Sequence, residues 1–377
     1  MKIGILTQPL HNNYGGLLQA FALQVVMKRL GHEVWTVDFW KVDRKKDLRF
    51  YPRIIKSILI RAVQRYLLGR SVSVWVWPTN SNNRKFTRHM RRFVEENIKT
   101  TSKINNSPQL SLLKEYHFDA YVVGSDQVWR PEYSPNLLHF FLDFLSDDTM
   151  VKRISYAASF GVEDWEFTPE ETVVCAGLAQ KFDAISVRED SAIELCRKYL
   201  EVPAVHVLDP TMLLDKDDYT ALVNKDGIPE FNAEIISYVL DATPEKKNII
   251  NAISEVIGVN ACFVNNAMSG YHDNVFPPVT QWIRGYMDTD FVITDSFHGT
   301  VFSIIFNRPF IAIGNEERGL TRFVSLLKMF DLENRVLHSA DQITTELINE
   351  KIDWDRVNSI LSQKRQEALV FLTASLS

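Results

Sequence analysis

Short apolar runs recur along this 377-residue chain, nearly all closing on turn residues, and helical patterns separate most of them. The strand-like runs are Ile3–Leu6, Glu33–Phe39, Asp119–Val123, Arg153–Ala158, Ile185–Val187 and Ala204–Val207. The second half continues with Glu234–Leu240, Ala261–Val264, Phe291–Thr294 and Phe310–Ile313. Helices are predicted at about Leu17–Leu30, Pro169–Lys181, Ser191–Tyr199, Glu245–Ile257, Val279–Met287 and Leu320–Lys328. The first shows an apolar stripe at Leu18, Phe21, Ala22 and Val25. Strands joined through helices must run parallel, because only a crossover returns the chain to the same sheet edge. The length exceeds one hydrophobic core and suits two. The expected fold class is therefore α/β: two doubly wound Rossmann-like domains facing a cleft. The N-terminal domain is placed at 1–220 and the C-terminal domain at 221–377, the latter ending in a helical tail.

One segment breaks the rhythm. Residues 41–116 read as a basic helical insertion, with an amphipathic helix at 53–68 and a second basic helix at 86–98. From Lys41 to Lys103 there are 17 Lys and Arg against four acids, a surplus of 13 in a chain of net charge −5. Such separation suggests an anionic surface or substrate. A solvated face neutralised by the acidic remainder explains it equally well. The 53–68 helix either lies on an anionic membrane as a peripheral contact or packs on protein. No nucleic-acid partner is expected, and oligomeric state is not legible.

Hydrophobic residues make up 46% and charged residues 24%, the balance of a soluble globular protein. No apolar run reaches the ~18–20 residues of a membrane span, and Met1–Leu6 enters a strand at once, so no signal peptide is expected. Cys175, Cys196 and Cys262 form neither a disulfide framework nor a metal set. His11, His206, His272 and His338 are scattered, so no metal is expected. A cytoplasmic location follows, at the inner face of the membrane if the 53–68 helix meets lipid.

His298 is the leading candidate for chemistry. It follows the strand Phe291–Thr294 and precedes the buried run Val301–Phe306. Strand carboxyl ends are where open α/β sheets bind ligands, and a helix N-terminus attracts anions. A histidine there exchanges a proton near neutral pH; a satisfied turn histidine is the plain alternative. Arg188 ends another apolar strand, where a guanidinium needs an anion: a ligand, or Glu189, Asp190 or another acid. Asn13, Tyr14, Gly15 and Gly16 form a turn that opens a helix and permits close approach to a ligand. The pattern is not that of a dinucleotide site. Gly124, Ser125, Asp126 and Gln127 place small and polar groups at a third strand end. Asp126 serves there as a base or as a turn cap, and Trp129 either stacks on a sugar or packs.

These motifs together resemble the polysaccharide pyruvyl transferase family. They are Asn13–Gly16 with Gln19, Gly124–Trp129, Ser155–Gly161, Ser186–Glu189, Asp209–Thr211 and Asp295–Gly299, in order over roughly residues 1–315. The resemblance implies a GT-B-like fold. It also implies transfer of pyruvate from phosphoenolpyruvate, as co-substrate and with no cofactor, to two hydroxyls of a polysaccharide or lipid-linked sugar acceptor as a ketal. On that basis His298, Arg188 and Asp126 are the catalytic candidates, with Asp295 an alternative base. Ser296, Phe297, Gly299 and Thr300 join Asn13–Gly16, Gly124, Ser125, Gln127 and Trp129 as substrate-binding candidates. Some family members carry an arginine where this chain has Ser296; Arg130, Arg308 and Arg318 are the substitutes considered. A nucleotide-sugar glycosyltransferase and a non-catalytic glycan-binding protein are the competing functions.

Overall fold

The computed structural model describes residues 1–11, 13–39, 87–134, 136–146, 150–241, 243–264, 275–314 and 320–377. The amphipathic segment 53–68, most of the basic insertion, and Arg318 lie outside the described residues. The first domain runs β1 (Lys2–Leu6), α1 (Tyr14–Arg29), β2 (Glu33–Thr36), α2 (Arg88–Asn97), β3 (Ala120–Val123) and β4 (Lys152–Ala158). It continues with α3 (Pro169–Ala179), β5 (Ala184–Val187), α4 (Ser191–Leu195) and β6 (Val205–His206). After α5 (Lys216–Lys225), the second domain runs β7 (Ile235–Tyr238), α6 (Pro244–Ile257), β8 (Cys262–Phe263), α7 (Val279–Asp288) and β9 (Phe291–Thr294). Then come α8 (Phe297–Ile305), β10 (Phe310–Ile313), α9 (Leu320–Met329), β11 (Val336–Leu337), α10 (Thr345–Asn349) and α11 (Trp354–Leu376).

Both sheets are parallel throughout. Their strand orders are β2-β1-β3-β4-β5-β6 and β11-β10-β9-β7-β8. This is the two-domain Rossmann-like, GT-B-like fold class expected. Strands covered on both faces read as unbroken apolar runs rather than alternating ones, which is why β3, β9 and β10 are so plain in the sequence. Each sheet reverses winding direction once, between β1 and β3 in the first and between β7 and β9 in the second. Loops leaving the carboxyl ends of neighbouring strands diverge at such a reversal and open a crevice.

Three features differ from the sequence expectation. Helix α1 is buried almost all round rather than along one stripe, Gln19 and Gln24 included. The two amides are satisfied, Gln19 by Thr7 and Ser125 and Gln24 by Thr36 and Lys99. Helix α5 runs across the boundary placed between residues 220 and 221, started by a reciprocal Asp215–Asp218 capping box. Strand β11 is only two residues long, too short to show a period. The helical tail is present as α11, but it leaves the second domain and packs on the first. Arg365 donates to the carbonyls of Met212 and Leu214 at 2.5 and 2.6 Å and to the Asp215 carboxylate, and Lys152 donates to the carbonyl of Ser375.

Candidate active site

A cleft of about 670 Å³ opens where the two reversal points meet. Gln8, Pro9, His11, Asn13, Tyr14 and Gly16 line it from the loop after β1 and the start of α1. Asp126, Gln127 and Tyr133 follow β3, Tyr238 ends β7 and Leu240 follows it, and Asp295 to His298 follow β9. Phe276, Arg322 and Phe323 complete the wall.

His298 stands in the first turn of α8, whose N-cap Ser296 accepts a bond from the Gly299 N–H at 3.4 Å. Every residue of α8 is buried, so the helix cannot slide to accommodate a change. The imidazole rests directly on Gly15 of the opposite domain: a Cβ there would fall 2.0 Å from Nδ1 and 2.2 Å from Cγ. Gly15 is thus required by the histidine. Gly124 has a comparable cause. Its φ is +121°, and a Cβ would meet the Tyr156 carbonyl oxygen at 2.2 Å.

Behind the histidine lies a buried charge cluster. Arg188 Nη1 donates to Asp209 Oδ2 at 2.9 Å, and its Nη2 lies 3.3 Å from Asp126 Oδ1. His298 Nε2 lies 3.6 Å from Asp209 Oδ2, an ion-pair separation longer than a hydrogen bond. Burial opposes ionisation of Asp209, but the facing His298 and Arg188 charges and the Thr211 bonds outweigh it and hold its carboxyl far below the usual range. Asp126 behaves alike: burial raises it, and Arg188, His298 and Arg322 together bring it below its ordinary value. Both carboxylates are therefore ionised at neutral pH.

The site departs from expectation at several candidates. Arg188 does not line the cleft; its guanidinium is spent on two carboxylates of the protein and covered by the Phe297 ring at 4.6 Å. Trp129 is fully buried, bonded to the Phe140 carbonyl and stacked on Phe141, so it packs rather than meets a sugar. Ser125 and Thr300 are buried and bonded to the backbone, and with Gly15, Gly124 and Gly299 they shape the floor without reaching the cleft surface. Asp295 accepts from Lys246 Nζ at 2.6 Å, Leu240 N at 2.7 Å and Asp241 N at 3.3 Å. These bonds tether Asp295 between the loop after β7, α6 and the start of α8 at the cleft wall. Arg130 is paired with Glu132 and Glu166, and Arg308 with the carbonyls of Tyr286 and Met287. Neither substitutes for a missing arginine at 296.

Asn13, Tyr14, Gly16, Asp126, Gln127, Ser296, Phe297 and His298 do meet at the cleft. Asn13 holds the N-cap position of α1 without a side-chain capping bond. Tyr14 also bolts the domains together, donating to the Pro277 carbonyl at 2.9 Å and stacking on Trp282.

Sequence reasoning missed Arg322 and the role of Asp209. Arg322 projects from α9 into the cleft, 6% exposed, 5.5 Å from the Phe297 ring centre. Burial, then the nearby Arg188 charge, lower it to about 10, which leaves it cationic at neutral pH. It stands on an ordinary amphipathic helix with no motif around it, so only packing reveals it. Among the described residues no group of His, Cys, Asp and Glu has the makings of a metal site.

The family model described as polysaccharide pyruvyl transferase matches residues 13–317. No curated protein matches the chain. Solved structures similar to it include the UDP-N-acetylglucosamine 2-epimerase from Rickettsia bellii, with 12% identity, 99% of this chain and 96% of that chain covered, and a TM-score of 0.47. The UDP-GlcNAc 2-epimerase from Methanocaldococcus jannaschii gives 12%, 97%, 94% and 0.47 for the same quantities. The Neisseria meningitidis enzyme gives 11%, 100%, 99% and 0.46.

Proposed function

The chain belongs to the polysaccharide pyruvyl transferase family and is a transferase; from that premise we propose that the cleft binds phosphoenolpyruvate beside a glycan or lipid-linked sugar and joins them as a pyruvate ketal. The observation that carries this reading is the convergence of His298, Asp126 and Arg322 at the meeting of the two reversal points. A guanidinium at a cleft surface can hold a carboxylate or phosphate with two parallel hydrogen bonds. Arg322 takes the donor's carboxylate or phosphate, helped by the N-termini of α1 and α8, each worth ~0.3–2 kcal/mol toward an anion.

The chemistry then follows from charge. His298, as imidazolium, gives a proton to the terminal methylene carbon, and the π electrons of the enol form that C–H bond. The cationic C2 is attacked by one sugar hydroxyl, whose proton passes to the ionised Asp126. The C2–O bond to phosphate breaks with its electrons on oxygen. A second hydroxyl bonds to C2 and passes its proton to the now neutral His298, closing the ketal and restoring the imidazolium, with inorganic phosphate as the other product. Asp126 is a weak base because Arg188 holds it ionised, so its larger effect is to orient the attacking hydroxyl.

Phosphate release from phosphoenolpyruvate is the test, with a glycan panel as acceptors. His298→Gln is expected to lower kcat by ~10²–10⁴-fold, the usual worth of a general acid. Arg322→Met is expected to raise KM for the donor tenfold or more. Wild-type turnover in H298Q would sink the reading. A thermal-shift comparison addresses the rival nucleotide-sugar reaction, since a ligand stabilises the state it binds: phosphoenolpyruvate should raise the melting temperature, and uridine or guanosine diphosphate should not.

A further inference from the structure

We infer that Asp209 is a positioning residue for His298, fixing which ring nitrogen keeps its proton and which serves the cleft; the inference rests on the acid role assigned to His298 above. Asp209 follows β6 at the head of a short 3-10 turn, Pro210–Leu213, and is 2% exposed. Its Oδ1 accepts from the Thr211 N–H at 3.0 Å and the Thr211 hydroxyl at 2.7 Å. Its Oδ2 accepts from Arg188 at 2.9 Å and lies 3.3 Å from the Ser125 hydroxyl. The carboxylate is therefore held at both oxygens by the first domain, and Oδ2 is presented across the interface to His298 Nε2.

The imidazole is confined just as closely. It lies on Gly15 and meets the Phe297 ring edge-on, centroids 5.3 Å apart. Nε2 is buried and makes no hydrogen bond within normal length, so Asp209 Oδ2 is the acceptor it faces. A buried carboxylate opposite one imidazole nitrogen selects the tautomer protonated there and favours the imidazolium. Nδ1 is then the nitrogen that delivers the proton to the donor carbon, while the Nε2–H stays on Asp209 and the carboxylate remains ionised throughout. Because the carboxylate and the imidazole belong to different domains, the acid is complete only when the domains are docked.

The experiment uses the full chain labelled with ¹⁵N-histidine, the His298 signals being assigned by their loss in H298Q. In the wild type a slowly exchanging Nε2–H proton signal is expected, persisting as the ring becomes neutral. A freely exchanging Nε2–H, or a neutral ring protonated at Nδ1, overturns the inference. In Asp209→Asn the Nε2–H signal is expected to exchange freely and the neutral ring to mix its two tautomers, read from the ¹⁵N shifts. Turnover should fall with it, while KM for phosphoenolpyruvate changes less than about threefold. A D209N ring that keeps the wild-type signal also overturns the inference. If D209N does not fold, the wild-type proton signal decides alone. A protein that shows the signal and loses it in D209N yet transfers no pyruvate refutes the functional reading and leaves the pairing intact.

Discussion

At the residue scale, the cleft depends on contacts with no tolerance. Gly15→Ala places a methyl group where the His298 ring already lies. The ring must move, and a displacement of about 1 Å in a catalytic group costs on the order of 10² in rate. We expect kcat to fall by roughly that factor in steady-state assays. Arg188 carries a different burden. Asp126 and Asp209 have folded-state values below their unfolded ones. Their stabilisation is thus present above the unfolded value of about 3.9 and lost as pH falls through the folded values. Arg188→Met removes the shared cation and leaves two buried carboxylates together. The expected loss is ~3–5 kcal/mol at pH 7, shrinking toward pH 4 as those carboxylates protonate in the mutant. Urea titrations at both pH values check the sign; a loss independent of pH contradicts it. His298 was legible because a strand end before a buried helix is a local pattern. The partners of Arg188 were not, since Asp126 and Asp209 lie 62 and 21 positions away and several other acids were equally eligible.

At the element scale, period and boundary chemistry were enough. β9 and β10 fall where the apolar runs end, and α6 and α7 begin within a residue of expectation. Helix α3 owes its start to Thr168 and Glu171, which satisfy each other's backbone N–H groups ahead of Pro169. Thr168→Ala is expected to cost about 1 kcal/mol and to leave transfer activity unchanged, measured by thermal unfolding alongside turnover. What the pattern concealed was burial on every side. α1 mixes Gln19 and Gln24 with apolar residues, and only its packing against β2, α2 and the Pro210–Leu213 turn makes those amides interior.

At the scale of the whole molecule, the two domains are joined by more than the link at α5. Tyr14 reaches from α1 to the Pro277 carbonyl, and α11 returns from the second domain to grip Met212–Asp215. Tyr14→Phe is expected to cost about 1 kcal/mol for the lost bond. It should also speed amide exchange along α1 and α7 and raise KM for phosphoenolpyruvate, because the cleft exists only between docked domains. Arg365→Ala should loosen the same docking from the far side, by ~1.5–3 kcal/mol for its charged hydrogen bonds, read from equilibrium unfolding.

The amino-acid order alone determined the alternation of strand and helix, the two parallel sheets and the loops that bear polar residues, because each of these follows from neighbours a few positions apart. It also determined the imidazole at the head of α8. Which charges meet was decided only when the sheets stacked: Arg188 turned inward to Asp126 and Asp209, Trp129 sank into the core, and Arg322 came forward from a helix that carries no motif. A pairing between distant side chains depends on the docking of whole layers, and no local period encodes that.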